Sequence, residues 1–186
     1  VAYSGRKELI DHINNYDYET KDYFYPQGEY NNAWNINMCD EDVVMIIKTE
    51  GLIGISMDQR ILGVPSDKKE EERADNNNVK AIAYTIYQIV EAAHKSQELT
   101  AGQKENAWCR IALGSDFEGL INPIDDYATV VSYKDLKDHL IKFFETEYLQ
   151  QGKQLYGLNS LAEIQDAVQM ICYQNAADFV VKHYPS

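Results

Sequence analysis

The chain has few cysteines and no long apolar run. Its three cysteines, Cys39, Cys109 and Cys172, are odd in number and form no CxxC pair, so the sequence indicates neither a disulfide framework nor a thiolate zinc site. A reducing compartment, the cytoplasm, is therefore expected. No apolar run approaches the roughly 18 residues that would indicate a membrane span, so no association with a membrane is expected.

Basic residues are also scarce, because 17 Lys and Arg stand against 30 Asp and Glu, a formal net charge of −13 over 186 residues. A chain of this charge lacks the basic footprint of nucleic-acid-binding proteins, so no nucleic acid partner is expected. The sequence contains neither a glycine-rich phosphate loop nor a serine nucleophile elbow. Hydrophobic residues make up 45% and charged residues 25%, which is typical of a globular domain.

Two short apolar segments, Leu52–Met57 and Arg110–Leu113, are predicted to be strands. Their apolarity is nearly continuous, which is typical of strands covered on both faces, and such strands belong to parallel sheets with helical crossovers. The predicted fold class is therefore α/β. Two strands are fewer than the roughly four to six of a usual sheet, so we expect the fold to need more strands than these.

Four helices are predicted around the strands. The apolar periodicity of Asn78–Lys95 gives the most regular of them, and the others are Asp40–Thr49, ended by Gly51, a helix opened by a Ser132–Asp135 capping box and closed by Gly152, and a final helix opened by a Ser160–Glu163 capping box. The predicted order is helix, strand, helix, strand, helix, helix.

Acidic residues follow the second predicted strand. In parallel α/β folds, reactive residues gather at the carboxyl ends of strands, and here Asp116 and Glu118 follow Leu113 between two glycines. A carboxylate in this place can bind a metal or transfer a proton, and it can equally cap a turn. The pattern alone leaves both interpretations open.

The segment CRIALGSDFEGLINP, Cys109–Pro123, resembles the last-strand signature of the renal (membrane) dipeptidase family of the amidohydrolase superfamily: a strand ending in Gly, then Ser or Gly, Asp, Phe, Asp, Gly. Trp34–Met57 resembles the family's helix and seventh strand, Asn175–His183 its closing helix, and Val1–Ile10 the stretch after its sixth strand. The resemblance implies that residues 1–186 are the C-terminal portion of a metal-dependent hydrolase (β/α)8 TIM barrel, from the exit of strand six through strands seven and eight with their helices.

The resemblance also implies an activity, namely hydrolysis of an amide or peptide-like bond in a small substrate by metal-activated water. It implies a binuclear divalent metal centre, zinc, whose ligands lie on the family's first, fourth, fifth and sixth strands. Asp116 matches the aspartate that interacts with the metal-bound water and shuttles its proton, so Asp116 is the predicted catalytic and metal-site residue. Because most ligands lie outside the chain, we expect the chain alone to be inactive.

Substrate recognition departs from the family pattern. Dipeptide-cleaving members hold the substrate carboxylate with an arginine before the seventh helix, and the matching stretch Asn31–Asn37 contains no arginine. The candidate substitutes are Arg60 and Arg6. Arg60 follows the first predicted strand and could pair with a carboxylate in bidentate fashion, or form an ion pair with Asp58. Glu118 stands where the family has aspartate, and no role is assigned to it.

The remaining polar features point to no metal site in this chain. The histidines have no partner histidine at i+2 or i+4, so we interpret them as surface or packing residues: His12, His94, His139 and His183. A long Tyr- and Asn-rich loop, residues 14–37, is interpreted as a pocket wall or subunit contact, or else a packed surface loop. A homo-oligomer is expected, formed through strand edges or the inner face of the sheet.

Two other functions are compatible with the sequence. One is a non-catalytic acidic α/β domain that binds a protein partner. The other is a glycosidase with Asp116 and Glu118 as its acid pair, which is weaker because carboxylates at i and i+2 do not readily lie on opposite sides of a bond at the roughly 5–9.5 Å that glycoside cleavage needs.

Overall fold

The computed structural model describes residues 38–62, 77–115 and 122–184, together with Lys7, Ile10 and Asp11. In this part of the chain the sheet has two parallel strands, β1 (Ile53–Ser56) and β2 (Ile111–Gly114). Ile53 pairs with Ile111 and Ser56 with Gly114, so the two strands begin and end together. Both predicted strands are confirmed within one residue at each end, and so is their parallel direction.

The two strands approach closely where both lack a side chain. A Cβ atom at Gly114 would lie only 3.3 Å from the Cα atom of Gly54. This distance is shorter than ordinary van der Waals contact, so a side chain at Gly114 would push the strands apart.

Helices make up most of the remainder. They are α1 (Asp40–Lys48), α2 (Gln59–Leu62), α3 (Asn77–Lys95), α4 (Ala101–Glu105), α5 (Tyr133–Phe144), α6 (Leu161–Gln169) and α7 (Asn175–His183). Short 3₁₀ turns cover Ala107–Arg110, Asp125–Tyr127 and Val130–Ser132, and π turns cover Glu145–Leu149 and Met170–Gln174. The second π turn joins α6 to α7, so one helical run extends from Leu161 to His183, as the sequence predicted for the end of the chain.

Helix α3 forms the centre of the core. The predicted apolar stripe is buried along its whole length: Val79, Ile82, Ala83, Ile86, Ile89, Val90 and Ala93. Helix α3 packs between α1 and α5, and α5 packs in turn on α6. The same core includes the apolar residues of both strands, so the sheet and four helices bury one continuous hydrophobic cluster.

Helix α1 ends differently from the prediction. Gly51 was expected to terminate it, but the left-handed position is taken by Glu50, with φ 58°. The N–H groups of Glu50 and Gly51 return to the carbonyls of Ile47 and Ile46, which is a Schellman arrangement. Gly51 is required for another reason, because a Cβ atom there would lie 2.9 Å from the side chain of Ile46.

The two predicted capping boxes have different outcomes. Ser160 accepts a hydrogen bond from the N–H of Glu163, so its position as the N-cap of α6 is confirmed. The Glu163 carboxylate completes the cap differently from a capping box, because it accepts from the N–H of Asn159 and the hydroxyl of Ser160. Ser132 makes no capping hydrogen bond to helix α5, because it is the last residue of a 3₁₀ turn with helical backbone angles. The box predicted there is wrong. Gly152 follows the first π turn, Glu145–Leu149. It has the left-handed conformation that is predicted for a helix end, with φ 64°.

These observations establish a helix-rich α/β fold with a small parallel sheet. None of the helices in the described ranges combines the length and the apolar character needed to cross a bilayer. The Tyr- and Asn-rich loop at 14–37 lies outside the described residues.

One buried polar side chain ties the last helix to the sheet. The amide nitrogen of Asn175, at the start of α7, donates to the carbonyl oxygens of Trp108 at 2.9 Å and Ile111 at 2.7 Å. Ile111 begins β2 and Trp108 lies in the 3₁₀ turn before it. The Asn175 amide therefore fixes the amino end of β2 against α7.

We expect Asn175→Ala to lower the free energy of unfolding by about 2 kcal/mol, because it leaves two buried carbonyl groups without this donor. Urea denaturation followed by circular dichroism measures the change. Gln165→Ala, at an exposed position of α6, is the matched control and should change stability by less than about 0.5 kcal/mol. Equal stability of the two variants would contradict the role assigned to Asn175.

Candidate functional site

The carboxyl ends of β1 and β2 form a polar edge. Because Ser56 is in register with Gly114, the segments that leave the two strands start side by side. β1 leads into Met57, Asp58 and helix α2, and β2 leads into Ser115 and then residue 116. The candidate site is this edge of the sheet.

A returning segment of the chain crosses this edge. Residues 122–124 run antiparallel to residues 57–59, with an isolated bridge between Asp58 and Pro123. The N–H of Ile124 donates to the carbonyl of Met57 at 3.0 Å, and the N–H of Gln59 donates to the carbonyl of Asn122 at 2.8 Å. We call residues 57–59 and 122–125 the edge clamp.

Side chains of the edge clamp add to these backbone bonds. The Gln59 amide nitrogen donates to the carbonyl of Pro123 at 2.6 Å and to the carboxylate of Asp125 at 2.9 Å. The Asp58 carboxylate accepts from the N–H of Asn122 at 3.3 Å. Asp58 is 2% exposed and Gln59 5% exposed, so both polar groups are held inside the protein by these bonds.

The edge clamp determines where the six-residue segment 116–121 begins and ends. It starts after Ser115, beside β1, and it returns at Asn122, bonded to Asp58 and Gln59. Both ends of the segment are thus tied to the exit of β1.

Two further polar contacts surround the edge clamp. Asn78, buried at the start of α3, donates its amide to the carboxylate of Asp126. Burial raises the pKa of Tyr133, while a hydrogen bond with the side chain of Ser115 acts in the opposite direction. Ser115 and Tyr133 thus connect the exit of β2 to the start of helix α5.

The predicted site residues fall largely outside the described part of the chain. Asp116, Glu118 and Arg6 all do. Arg60 is the second residue of helix α2, so its backbone follows β1 as predicted, but its side chain lies outside the description. The structure therefore places Ser115 and Gln59, the residues that precede Asp116 and Arg60, at one edge of the sheet. The contacts of the Asp116 and Arg60 side chains remain predictions.

The histidines occupy separate places. His12 lies outside the described residues. His94 stacks on Tyr156 with ring centroids 4.7 Å apart, and burial lowers its pKa. The Nδ1 atom of His139 is hydrogen bonded to the hydroxyl of Tyr127 at 2.7 Å, and His183 packs against Phe179. The described histidines are packing residues on three different helices.

The cysteines are poor candidates for nucleophiles. Burial raises the pKa of Cys39, Cys109 and Cys172, that of Cys172 to about 11. A reactive cysteine requires the opposite shift, because the thiolate is the nucleophile. Within the described ranges, no group of three His, Cys, Asp or Glu side chains comes together in a way that could hold a metal ion.

The sequence predictions missed the edge clamp. They considered Asp58 only as an ion-pair partner of Arg60 and did not consider Gln59, although two consecutive polar residues after an apolar strand are a signal. Pro123, which cannot donate a backbone hydrogen bond, marks the other half of the bridge. No local sequence pattern indicates that these two segments, with Gln59 and Pro123 64 positions apart, are in contact.

Comparison of the chain with protein-family models, with curated proteins and with solved structures found no match. A function for this chain is therefore inferred from the sequence motif and from the geometry of the edge.

We expect Gln59→Glu to destabilise the protein by about 1–3 kcal/mol at pH 7, because a carboxylate cannot donate to Pro123 and would face the carboxylate of Asp125. Burial and Asp125 should raise the pKa of the new carboxyl above its unfolded value of about 4.3. The protonated form can donate again, so the difference from the wild type should shrink as pH falls toward 4 and grow as pH rises through the folded pKa.

Urea denaturation of both proteins at pH 4 to 8 measures this difference. Gln97→Glu, at an exposed turn position, is the matched control and should show a small, pH-independent difference. A pH-independent effect of Gln59→Glu would mean that its amide does not bind the returning segment.

We also expect the thiols of the folded chain to react slowly with iodoacetamide at pH 8, with Cys172 the slowest because its pKa is about 11. Mass spectrometry of tryptic peptides measures the rate at each cysteine, and the urea-unfolded chain provides the reference rate. Rapid labelling of Cys172 in the folded chain would contradict the raised pKa of this partly buried thiol in the π turn before α7.

Proposed function

We propose that this chain is the C-terminal part of a metal-dependent hydrolase of the renal dipeptidase type. The longer protein would hydrolyse an amide or peptide-like bond of a small substrate with metal-activated water, and the two strands would be the seventh and eighth of a (β/α)8 barrel. Asp116 would accept and return the proton of the attacking water.

The observation that carries the proposal is the parallel pairing of β1 and β2 in register, with α3 in the crossover between them. The strand that precedes the family-like motif GSDFEG lies beside the strand that precedes Arg60. In (β/α)8 enzymes, catalytic residues come from the carboxyl ends of several strands, and the two ends meet here. The order and direction of the elements agree with what the motif implies.

The edge clamp supports the role given to Asp116. This residue comes two positions after the last residue of β2, in the segment whose two ends are tied to the exit of β1. General acid–base catalysis needs a group held within hydrogen-bond reach of the reacting atom. A segment anchored at both ends to a rigid scaffold provides that restraint.

The described residues do not supply a metal site by themselves, since no cluster of three suitable ligands is found among residues 38–62, 77–115 and 122–184. In the family, the ligands belong to the first, fourth, fifth and sixth strands. The proposal therefore assigns to this chain the proton transfer and part of the substrate pocket, and it assigns metal binding to the other strands.

Arg60 is the proposed contact for a negatively charged substrate group. Its backbone lies in the first turn of helix α2, directly after Asp58 at the exit of β1. A guanidinium can bind a carboxylate through two parallel hydrogen bonds, which would fix the orientation of a small substrate. Arg6 remains the second candidate.

The test uses the longer protein that includes the preceding strands. Metal analysis after dialysis should find two zinc equivalents per chain, and the protein should release amino acid from simple dipeptides or N-acyl amino acids. Asp116→Asn should lower kcat by at least about 10²-fold with little change in KM, because general acid–base catalysis typically contributes 10²–10⁴-fold.

Asp138→Asn, an exposed aspartate on α5, is the matched control and should leave kcat unchanged. Circular dichroism and metal content should be the same in both variants, so that a loss of kcat reports on chemistry. A longer protein without stoichiometric metal, or an Asp116→Asn variant with unchanged kcat, would refute the proposal.

A further inference from the structure

His94, in the last turn of helix α3, has a buried ring nitrogen without a partner. Its ring is stacked on that of Tyr156, with centroids 4.7 Å apart and planes inclined by 27°. The Nε2 atom of His94 is buried and has no hydrogen-bond partner among the described residues. Buried polar atoms of side chains are almost always paired, so this nitrogen sets a condition on the charge that the ring can carry.

The neutral ring meets this condition in one of its two tautomers. A hydrogen bond to the backbone of Lys104 acts to raise the pKa of His94, which is the effect of a ring N–H that donates to a carbonyl oxygen. Because Nε2 has no partner, the donor is Nδ1. The neutral ring thus carries its single proton where an acceptor exists. Protonation would add a second N–H, at Nε2, where the described residues provide no acceptor.

The charged groups around the ring do not compensate for this. Burial is the largest effect on the pKa of His94 and lowers it. The Lys104 ammonium, which donates to the backbone carbonyl of His94 at 3.1 Å, lowers it further, and Glu105 opposes this as a smaller effect. The dipole of α3 also favours a cation in its last turn. Glu91 and Lys95 on the same helix are paired with each other at 3.1 Å.

Tyr156 lies in a tight turn, residues 155–158, which we call the Tyr156 turn. The N–H of Leu158 donates to the carbonyl of Leu155 at 3.3 Å. Both central residues are left-handed, with φ 44° at Tyr156 and 98° at Gly157. This conformation is unfavourable for a residue as large as tyrosine and persists only where surrounding contacts hold it. The Tyr156 turn therefore depends on the contacts of the Tyr156 side chain and backbone.

Three of these contacts come from different elements. The His94 ring stacks on Tyr156, the indole nitrogen of Trp108 donates to the Tyr156 carbonyl at 3.2 Å, and the Tyr156 hydroxyl donates to Glu91 at 3.3 Å. Of the three partners, only an imidazole titrates near neutral pH. A change of pH between 7.5 and 5.5 therefore acts on this set of contacts through His94.

We propose that the stack of His94 on Tyr156 is a pH-sensitive latch, and that protonation of His94 releases the Tyr156 turn from helix α3. With the latch closed, the imidazolium has a charged N–H without an acceptor, whereas water can accept from it once the latch opens. Release also removes the Tyr156 carbonyl from Trp108, whose 3₁₀ turn directly precedes β2. The latch thus connects the protonation of one histidine to the amino end of the sheet.

The direction of the pH dependence follows from which form of His94 the closed latch favours. The closed latch favours the neutral ring, so the pKa of His94 is lower in the folded chain than in the unfolded one. The stability of the latch is fully present above the unfolded-state pKa of about 6.5. It is lost as pH falls from there toward the lower folded value.

Hydrogen exchange of the 186-residue chain, measured by mass spectrometry between pH 7.5 and 5.5, tests the proposal. Peptides that cover residues 153–160 should lose at least about threefold in protection factor over this range, after correction for the intrinsic pH dependence of exchange. An NMR titration of the His94 ring in the wild type, which needs no variant, should give a pKa below about 6.5.

His94→Phe keeps an aromatic ring in this place and cannot be protonated, so its protection factors over residues 153–160 should not change with pH. His183→Phe is the matched control, because it removes an exposed histidine that packs on Phe179 and should keep the wild-type response.

Three results would overturn the proposal. One is a His94 pKa at or above about 6.5, which would mean that the Tyr156 ring stabilises the imidazolium through a cation–π interaction. The others are constant protection in the wild type and an equal loss of protection in His94→Phe. The proposal is independent of the proposed catalytic function.

Discussion

Two strands of four residues each cannot hold together by their own hydrogen bonds, and the fold is arranged around this constraint. A short parallel pair has two faces and two ends, and its backbone bonds survive only where water is kept away from them. The apolar residues of β1 and β2 are accordingly part of the same buried cluster as those of α1, α3, α5 and α6. Gly54 and Gly114 allow the two strands to lie close together inside this cluster, because neither residue has a side chain that would separate them.

The two ends of the strand pair are secured by different chemistry. At the amino end, the Asn175 amide binds carbonyls next to and within β2, and Arg110 donates to the carbonyl of Glu50 at 3.2 Å. At the carboxyl end, the edge clamp binds backbone to backbone and adds the Gln59 amide. The amino end is therefore joined to the last helix, while the carboxyl end is joined to a returning loop. Loops over a rigid edge are where substrate-binding residues are usually found, which makes the carboxyl end the better candidate site.

Features formed by residues close together in the sequence were the ones that could be predicted, and features formed by residues far apart were not. Helix α3, 19 residues long, was predicted almost to the residue because its apolar stripe repeats from Val79 to Ala93. The N-cap at Ser160 needs only a partner three residues away and was correct. The box at Ser132 has the same pattern and was wrong, because a 3₁₀ turn already occupies that position. The edge clamp and the Asn175 contacts join residues 63 or more positions apart, so no local pattern could indicate them. The roles of Asp116 and Arg60 stay predictions for a different reason, since their side chains lie outside the described residues.

The excess of acidic residues explains how the edge clamp and its surroundings are built. With 17 basic residues for 30 acidic ones, at least 13 carboxylates cannot have a cation of their own. The structure satisfies several of them with neutral donors: Asp125 with the Gln59 amide, Asp126 with the Asn78 amide, Asp58 with the N–H of Asn122 and Glu163 with the N–H of Asn159. Bonds of this kind depend weakly on salt, whereas exposed ion pairs such as Lys48 with Glu98 contribute little and are screened. The carboxylates around the candidate site are thus held by amide and backbone N–H groups that keep their charge state across a wide pH range, so these bonds do not depend on the titration of their donors.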